Sequence, residues 1–301
     1  MNTLIKKIVK PFVPHFMLER RRKRKTRQWE ETIKKNYDRT NYIKQSVPIE
    51  QELKILFKQN EPLVIFEIGA CEGEDSIKYS RLFPNSSIYA FEPLPDNIKL
   101  IQNNLLHYGV TNVKYYNKAL SSREGTAEFY VSEGRPETAI ESDWDYGNKS
   151  SSLLPPGKHL EIVSYIHFNK KIEVETITLK SFCTSNNINI IDFIHMDVQG
   201  AELIVLEGAS DFISSIKVIW MEVSKIALYQ NQPLEEDVKR FMADNNFVLI
   251  KNSLDREWGD QLYVSKIFYP EYKSLQGNQS KLKSFITRVL KKWRLSYIQF
   301  L

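Results

Sequence analysis

Residues 191–202 read IDFIHMDVQGAE, a short apolar run that ends at Asp197 and is followed by Gly200 and Glu202. Short apolar runs bounded by turn signals are typical of strands buried in a parallel sheet. The next segment, AELIVLEGASDFI at 201–213, reads as a helix. This stretch therefore predicts a strand that carries a carboxylate out of the core, with a helix behind it.

The same alternation of apolar runs and amphipathic segments recurs along the chain. In order, it predicts strand 63–69, helix 74–83, strand 86–93, helix 95–109, strand 112–120, strand 216–223 and helix 234–246. Residues 121–175 interrupt this order with an extra strand and a long polar loop, and FVLIKN and DQLYVSKI close the domain as an antiparallel pair. Strands that alternate with helices form βαβ units, so the sequence predicts an α/β fold with a parallel sheet.

Charge divides the chain into three parts. Residues 1–28 hold ten Lys/Arg and one Glu, and residues 281–301 hold six Lys/Arg and no acid, so the middle is acidic although the whole carries +5. We expect a basic helical extension at 1–47, one α/β domain at 48–270 and a basic amphipathic tail at 271–301. A nucleic-acid binder carries its basic patch on the folded domain, so the acidic middle argues against such a partner.

Composition also bears on where the protein works. There are two cysteines and no C-x-x-C, which argues against zinc and favours a reducing compartment. No run of about 20 apolar residues and no convincing signal peptide are present, so we expect a cytoplasmic protein. Two interpretations of the basic tails stay open: peripheral anchors on anionic lipid at the inner membrane face, or solvated helices that pack on a partner chain.

Carboxylates follow four predicted strands at the point where each strand ends. Ligands of open parallel sheets bind at these ends, near the position where the strand order reverses. The residues concerned are Glu67, Glu92, Asp197 and Glu222.

Two glycines, Gly69 and Gly73, follow the first strand in the pattern E-x-G-x-x-x-G, which is not the G-x-G-x-x-G fingerprint of dinucleotide sites. Glycines here let the backbone approach a ligand closely. Glu67 can accept from the amino group of an amino-acid ligand, and Glu92 can accept from both hydroxyls of a ribose. Together these groups describe a site for S-adenosylmethionine. Each also has a plain alternative: Glu67 as a satisfied buried acid, and Glu92 as an acid at a helix start.

Five segments carry a resemblance to a known family. They are VIFEIGACEGEDS, IYAFEPLPDNIKLIQNNL, NKALSSREGTAEFYV, SSSLLP and IDFIHMDVQGAELIVLEGA. In this order, over roughly residues 63–223, the chain resembles the FkbM-type S-adenosylmethionine-dependent methyltransferases.

The resemblance implies a Rossmann-like class I methyltransferase fold: a mostly parallel seven-stranded sheet with helices on both faces and a final antiparallel strand. It also implies O-methylation, often of sugars in polysaccharides, glycolipids or natural products. The residues it assigns to the cofactor are Glu67, Gly69, Ala70, Gly73, Glu92 and the backbone of 117–120, including Asn117 and Ala119. The sequence departs from the family at two positions, with His195 where Lys is common and Gln199 where Glu is common.

Strand alternation places His195 and Asp197 on the same side of their strand. Methyl transfer to a hydroxyl requires a positioned oxygen and a group that accepts its proton. We expect Asp197 to be this base, with His195 as its orienter or as an alternative base. The competing interpretations are a core histidine bonded to backbone and an N-cap aspartate for the helix that begins near Gly200. Glu202, in the first turn of that helix, favours the helix dipole.

A metal-assisted reaction is also compatible with the carboxylates at the strand ends. Asp197 and Glu222 could together bind Mg²⁺, which would orient a diol and lower its pKa. The loop 132–170 would cover the acceptor, and it offers Trp144, Tyr146, His159 and His167. Aromatic rings suit sugar faces and equally suit a packed lid.

The favoured function is thus an O-methyltransferase that acts on a glycan or glycolipid acceptor. Two rivals stay open: a non-catalytic cofactor-binding scaffold tethered by its basic tails, and a nucleic-acid methyltransferase. The acceptor, the hydroxyl and the oligomeric state are not fixed by the sequence.

Overall fold

The computed structural model describes residues 38–137, 139, 144–254, 257–270, 273, 274 and 277. The predictions made for the basic segments 1–28 and 281–301, including contact with a membrane, fall outside these residues. Among the described residues, none of the helices has the length and apolar content needed to cross a bilayer.

The described residues form ten strands. In chain order these are β1 (Val64–Ile68), β2 (Ser87–Phe91), β3 (Val113–Tyr116), β4 (Ala119–Leu120), β5 (Gly125–Glu133), β6 (His167–Ile177), β7 (Ile191–Met196), β8 (Ile216–Ser224), β9 (Phe247–Asn252) and β10 (Trp258–Ser265).

Helices connect these strands. They are α1 (Arg39–Lys44), α2 (Glu50–Leu56), α3 (Glu74–Leu82), α4 (Pro95–His107), α5 (His159–Ile162), α6 (Leu179–Ser185), α7 (Glu202–Glu207) and α8 (Glu235–Asp244), with 3₁₀ turns at Gly147–Lys149 and Ser210–Ser215.

Local sequence explains where helices begin and end. Pro95 occupies the first turn of α4, where its missing N–H costs nothing, and Gly109 follows the helix with φ +65°. Thr178 is the N-cap residue of α6, and its side-chain oxygen accepts from the Ser181 N–H at 3.1 Å.

The main sheet has seven strands in the order β3-β2-β1-β7-β8-β10-β9. The neighbours from β3 to β8 are parallel, and β10 runs antiparallel to both β8 and β9. The chain builds outward from β1 to β3 and then returns to place β7 on the other side of β1. The strand order therefore reverses between β1 and β7, and the predicted Rossmann-like architecture with its antiparallel strand is confirmed.

A second sheet, in the order β4-β6-β5, corrects one predicted strand. The predicted strand 112–120 is two strands, because β3 ends at Tyr116 and Ala119–Leu120 pairs instead with Thr176–Ile177 of β6. Between them, the Asn117 side chain donates to the carbonyls of Glu92 and Pro93 at 3.1 and 2.8 Å. This amide holds the turn that takes the chain out of the main sheet.

The two faces of the main sheet are both covered. On one face, Phe66, Ile194 and Ile219 pack with Phe182 of α6 and Val205 of α7 in a buried cluster. Burial of such side chains stabilises the fold by roughly 1.5–3 kcal/mol each.

The opposite face has a buried middle and a polar end. Ile65, Phe193 and Val218 pack there with Leu53 of α2 and Tyr79 of α3. Because side chains alternate along strands, the same face continues at the carboxyl ends with polar groups. These are Glu67 on β1, His195 on β7 and Glu222 on β8, with Glu67 beside His195 in the sheet register.

Helix α1 packs on the α/β domain. Ile43 and Val47 are buried, and the Arg81 guanidinium donates to the Ile43 carbonyl at 3.3 Å. Residues 38–47 of the predicted extension therefore pack on the domain, and the predicted boundary at residue 47 stays a prediction.

Candidate functional site

The loop after β1 meets the end of β7 at the point where the strand order reverses. Gly69 has φ +84°, and a Cβ on it would lie 1.9 Å from the backbone oxygen of Asp197. The N–H groups of Gly69 and Ala70 both donate to the Phe91 carbonyl, at 3.0 and 2.9 Å. The absence of a side chain at Gly69 thus lets the loop lie against the end of the neighbouring strand, and its predicted contact with the cofactor stays a prediction.

Gly73 ends the same loop and begins α3. Its φ of +78° lies in the left-handed region, where glycine has no steric cost. Its N–H donates to the Ala70 carbonyl at 2.7 Å, which closes the loop as a tight turn.

Glu67 is buried beneath this loop. Its carboxylate accepts from the Ser76 hydroxyl, so it has a protein partner, as a satisfied buried acid does. Burial, followed by the nearby charge of Asp75, raises its pKa well above the usual value. Ligand-type atoms of Glu67, Asp75 and His195 lie within 4.8 Å of one another, so two carboxyls and an imidazole form one cluster.

Glu92 joins the loops that follow β1 and β2. Its carboxylate accepts from the N–H groups of Cys71 and Leu94, each at 2.9 Å. Burial raises its pKa to about 7, and these hydrogen bonds act in the opposite direction. The carboxylate is therefore held in one orientation next to the turn that Asn117 supports.

Two adjoining cavities lie at these strand ends. The smaller, about 40 Å³, is lined mainly by apolar groups that include Phe91, Pro93 and Ala119. The larger, about 160 Å³, is lined by charged and aromatic groups that include Glu67 and His195. Gly69, Ser151 and Asp197 line both cavities.

His195 is half-buried on the floor of the larger cavity. Its ring packs edge-on against Tyr79 with centroids 5.6 Å apart, and its buried Nδ1 has no hydrogen-bond partner in the described part of the chain. A core histidine bonded to backbone through Nδ1 is therefore not what the structure has. His195 and Asp197 line the same cavity, as strand alternation predicts.

Asp197 lies at the wall between the cavities, where its side chain remains exposed to the cleft. The surrounding protein raises the pKa of its carboxyl, while a hydrogen bond from Gln199 and the nearby His195 act in the opposite direction. A carboxyl with a raised pKa is a better proton acceptor near neutral pH.

The helix-cap interpretation of Asp197 is not what the structure shows. Glu202 Oε1 accepts from the N–H groups of Val198 and Gly200, both at 3.2 Å, and so satisfies the turn itself. Helix α7 begins at Glu202, and its N-cap residue Ala201 makes no side-chain bond. The Asp197 side chain is left for the cleft.

Asp197 and Glu222 are brought together, as the magnesium hypothesis requires, but an amide lies between them. Gln199 Nε2 donates to Asp197 Oδ1 at 2.6 Å and to Glu222 Oε2 at 3.1 Å. An amide N–H is a donor and cannot serve as an oxygen ligand. The arrangement does not support the magnesium prediction.

Residues that the sequence did not single out complete the larger cavity. Tyr42 of α1 donates to Asp75 at 2.9 Å and packs edge-on against Trp144 with centroids 5.1 Å apart. Lys149 forms an ion pair with Glu74 at 2.7 Å and lies 4.0 Å from the Trp144 ring centre. No local motif marks Tyr42 or Lys149, since their roles depend on contacts across the chain.

A buried glutamate fastens these outer segments to the loop after β1. Glu72 is paired with Arg39 and accepts from the Asn148 amide at 3.1 Å. Its backbone carbonyl accepts from Asn104 at 2.8 Å. Helix α1, helix α4 and the 3₁₀ turn at 147–149 are thus tied to one residue of the loop.

The four aromatic and histidine residues of the predicted covering loop lie in different surroundings, and one of them lines the larger cavity. Trp144 lines the larger cavity, whereas His159 is buried between Phe168 and Tyr229. Tyr146 lies near Arg135, and His167 is exposed at the start of β6.

The chain matches the family model described as the methyltransferase FkbM domain over residues 67–249. The chain belongs to the FkbM methyltransferase family. It is an S-adenosylmethionine-dependent methyltransferase, as the motifs in the loops after β1, β2 and β7 predict.

Two relatives are similar over parts of this FkbM methyltransferase. The 2-O-methyltransferase NoeI of Sinorhizobium fredii is 29% identical over 187 residues, which are 62% of this chain and 73% of that protein. Methyltransferase 1 of Beauveria bassiana is 24% identical over 150 residues, which are 49% of this chain and 58% of that protein.

Two solved structures are similar to the chain at low identity and with TM-scores below 0.5. Methyltransferase FkbM from Methylobacillus flagellatus KT is 16% identical, with a TM-score of 0.44 over 75% of this chain and 50% of that one. Precorrin-6y C5,15-methyltransferase from Geobacter metallireducens is 15% identical, with a TM-score of 0.37 over 73% of this chain and 89% of that one.

Proposed function

We propose that this FkbM methyltransferase transfers a methyl group to a sugar hydroxyl of a polysaccharide, glycolipid or related glycan. The observation that carries the proposal is the position of Asp197, which lines both the apolar and the charged cavity. A proton acceptor at this wall can serve a hydroxyl bound on one side while the cofactor reaches it from the other.

The lining of the two cavities fits S-adenosylmethionine. The apolar groups Phe91, Pro93 and Ala119 of the smaller cavity suit a base. Glu92, which stands between Phe91 and Pro93 in the chain, suits a ribose. Glu67 and the loop of Gly69, Ala70 and Gly73 suit the amino-acid end. When bound, the cofactor supplies an electrophilic methyl group on a sulfonium centre.

Asp197 would accept the proton of the attacking hydroxyl, and His195 would orient it or act as a second base. Both groups line the larger cavity, and the raised pKa of Asp197 brings its proton affinity closer to that of a useful base. The rings of Tyr42 and Trp144 would exclude water from the larger cavity around the attacking hydroxyl.

The acceptor is proposed to be a sugar because the larger cavity combines ring faces with carboxyl and amide groups. Tyr42 and Trp144 supply the rings, and Asp75 and Asn148 supply hydrogen-bonding groups. NoeI carries the name 2-O-methyltransferase, which supports transfer to oxygen rather than to nitrogen or carbon.

Contact with anionic lipid through the basic segments 1–28 and 281–301 is part of this proposal, because a glycolipid acceptor lies at a membrane surface. Pelleting of the full chain with vesicles of anionic and of neutral lipid tests it. Equal recovery of the protein with both kinds of vesicle would contradict it.

The cofactor assignment is tested by calorimetric titration with S-adenosylhomocysteine. We expect micromolar binding by the wild type and a large loss of affinity in Glu92→Ala. Because Glu92 also holds two loops, the thermal midpoint of the variant is measured in parallel, and Glu92→Gln serves as the milder substitution. No binding by well-folded wild-type protein would contradict the proposed site.

A further inference from the structure

Gln199 is held by three separate parts of the domain. Its Nε2 donates to Asp197 at 2.6 Å and to Glu222 on β8 at 3.1 Å. Its Oε1 lies 2.9 Å from the buried Tyr229 hydroxyl, and its backbone carbonyl accepts from Ser152 at 2.8 Å. All polar groups of the side chain are thereby in use.

The orientation of this amide follows from its neighbours. An ionised Asp197 carboxylate only accepts hydrogen bonds, so the amide nitrogen faces Asp197 and also reaches Glu222. The Tyr229 hydroxyl can donate, so the oxygen faces Tyr229. The backbone of Gln199 has φ +57°, a left-handed conformation that a residue other than glycine adopts at a cost. Contacts on all sides hold it there.

The surroundings of Asp197 are crowded with acids. The groups that act on it electrostatically are His195 on β7, Asp75 on α3, Lys149 in the 3₁₀ turn, Glu202 on α7, Glu222 on β8, Tyr229 in the loop after β8 and Asp260 on β10. Glu67 on β1 and Glu74 on α3 line the same cleft. Six of these nine groups are carboxyls, and like charges disfavour ionisation of Asp197.

The neutral Gln199 amide donates a hydrogen bond to Asp197 and another to Glu222. Each N–H of the Gln199 amide meets one carboxylate, so it favours the ionised form of both without adding charge. A glutamate of the same shape would remove both donors and add another negative charge.

We propose that Gln199 is a positioning residue, whose amide keeps the Asp197 carboxylate ionised and fixed at the wall between the two cavities. The effect of Gln199 on catalysis rests on the proposed function, in which Asp197 is the base. The structural role stands on the hydrogen bonds themselves.

The test is a carbon-13 NMR titration of full-length protein labelled at the aspartate carboxyl carbon. The Asp197 signal is identified by its absence in Asp197→Asn. We expect its titration midpoint to rise by about one pH unit or more in Gln199→Glu, and to rise by less in Gln199→Ala. Tyr229→Phe, which leaves the amide in place but frees its oxygen, should give a smaller rise again.

Gln230→Glu is the matched control. Gln230 is exposed on the same loop as Tyr229 and contacts the Pro156 carbonyl at 3.2 Å, away from Asp197. The same chemical change there should leave the Asp197 midpoint where it is in the wild type. Loss of packing alone would lower thermal stability without moving this midpoint.

An unchanged Asp197 midpoint in folded Gln199→Ala and Tyr229→Phe would overturn the proposal, even if Gln199→Glu failed to fold. The titration with S-adenosylhomocysteine is run on the same samples. If the wild type did not bind it, the proposed function would fail while the NMR result would still decide the role of Gln199.

Discussion

The apolar cavity beside Ala119 and the charged cavity beside His195 share one wall, but the chain builds them differently. The first is formed largely by residues at the ends of strands β1, β2 and β3 or directly after them, with Phe129, Ser151 and Leu153 added from farther along the chain. The second adds Tyr42 from α1, and Trp144 and Lys149 from the segment between β5 and β6. The groups proposed to hold the cofactor, including Glu67 and Ala70 in the charged cavity, therefore belong mainly to local strand–loop–helix motifs. The groups proposed to hold the acceptor are brought together by contacts across long stretches of chain.

The largest effect is expected from a change in the shared wall. Gly69→Ala would place a Cβ 1.9 Å from the Asp197 backbone oxygen, in a left-handed conformation. We expect a loss of roughly 3 kcal/mol or more in the free energy of unfolding, because a backbone must move. Urea denaturation measures it.

Gly109→Ala is the matched control for this prediction. Gly109 also has positive φ, but its added Cβ would meet nothing within 4 Å. Only the conformational cost of about 1–2 kcal/mol should appear. Equal losses in the two variants would show that the wall between the cavities is not tightly packed.

The next largest effect is expected on cofactor binding, from a change in the apolar cavity. Ala119→Leu should fill the apolar cavity of about 40 Å³ and weaken binding of S-adenosylhomocysteine by roughly tenfold or more. Calorimetric titration measures the affinity. Unchanged affinity would place the cofactor elsewhere.

A comparable change at the acceptor end should have the opposite pattern. Trp144→Ala removes a ring from the charged cavity, so we expect the KM for a glycan acceptor to rise roughly tenfold. The affinity for S-adenosylhomocysteine should stay within about twofold of the wild type. If both affinities fell together, the two cavities would act as one site rather than two.

The smallest effect is expected from Tyr42→Phe. The variant keeps the ring that packs on Trp144 and loses the hydroxyl that donates to Asp75. One hydrogen bond of this kind contributes about 0.5–1.5 kcal/mol, so acceptor KM should rise a few-fold. Steady-state kinetics at saturating cofactor measure it, and a loss of cofactor affinity alone would contradict the assignment of α1 to the acceptor end.

The same contrast explains how much the sequence could predict. Apolar periodicity predicts the alternating strands and helices, and the carboxyl ends of parallel strands bring Glu67, His195 and Asp197 to one edge. The break after Tyr116 could not be predicted, because it depends on Asn117 reaching the carbonyls of the loop after β2.

The partners of individual side chains could not be predicted from the sequence either. Gln199 is visible in the sequence as a departure from the family pattern, but its contact with Tyr229 joins residues 30 positions apart. The pairing of Glu72 with Arg39 and the role of Tyr42 likewise require α1 to be placed on the domain. Local sequence patterns do not predict contacts between residues that are far apart in the chain.

The most direct test of the central claim is methyl transfer by Asp197→Asn. Transfer of labelled methyl from S-adenosylmethionine to a panel of glycans is measured against pH, alongside S-adenosylhomocysteine affinity. Because the base must be ionised and desolvation by the surrounding protein raises the pKa of Asp197, the wild-type rate should fall as pH drops through that raised pKa. The variant should bind S-adenosylhomocysteine like the wild type and transfer at least about 100-fold more slowly. Transfer by folded Asp197→Asn at the wild-type rate would contradict the account.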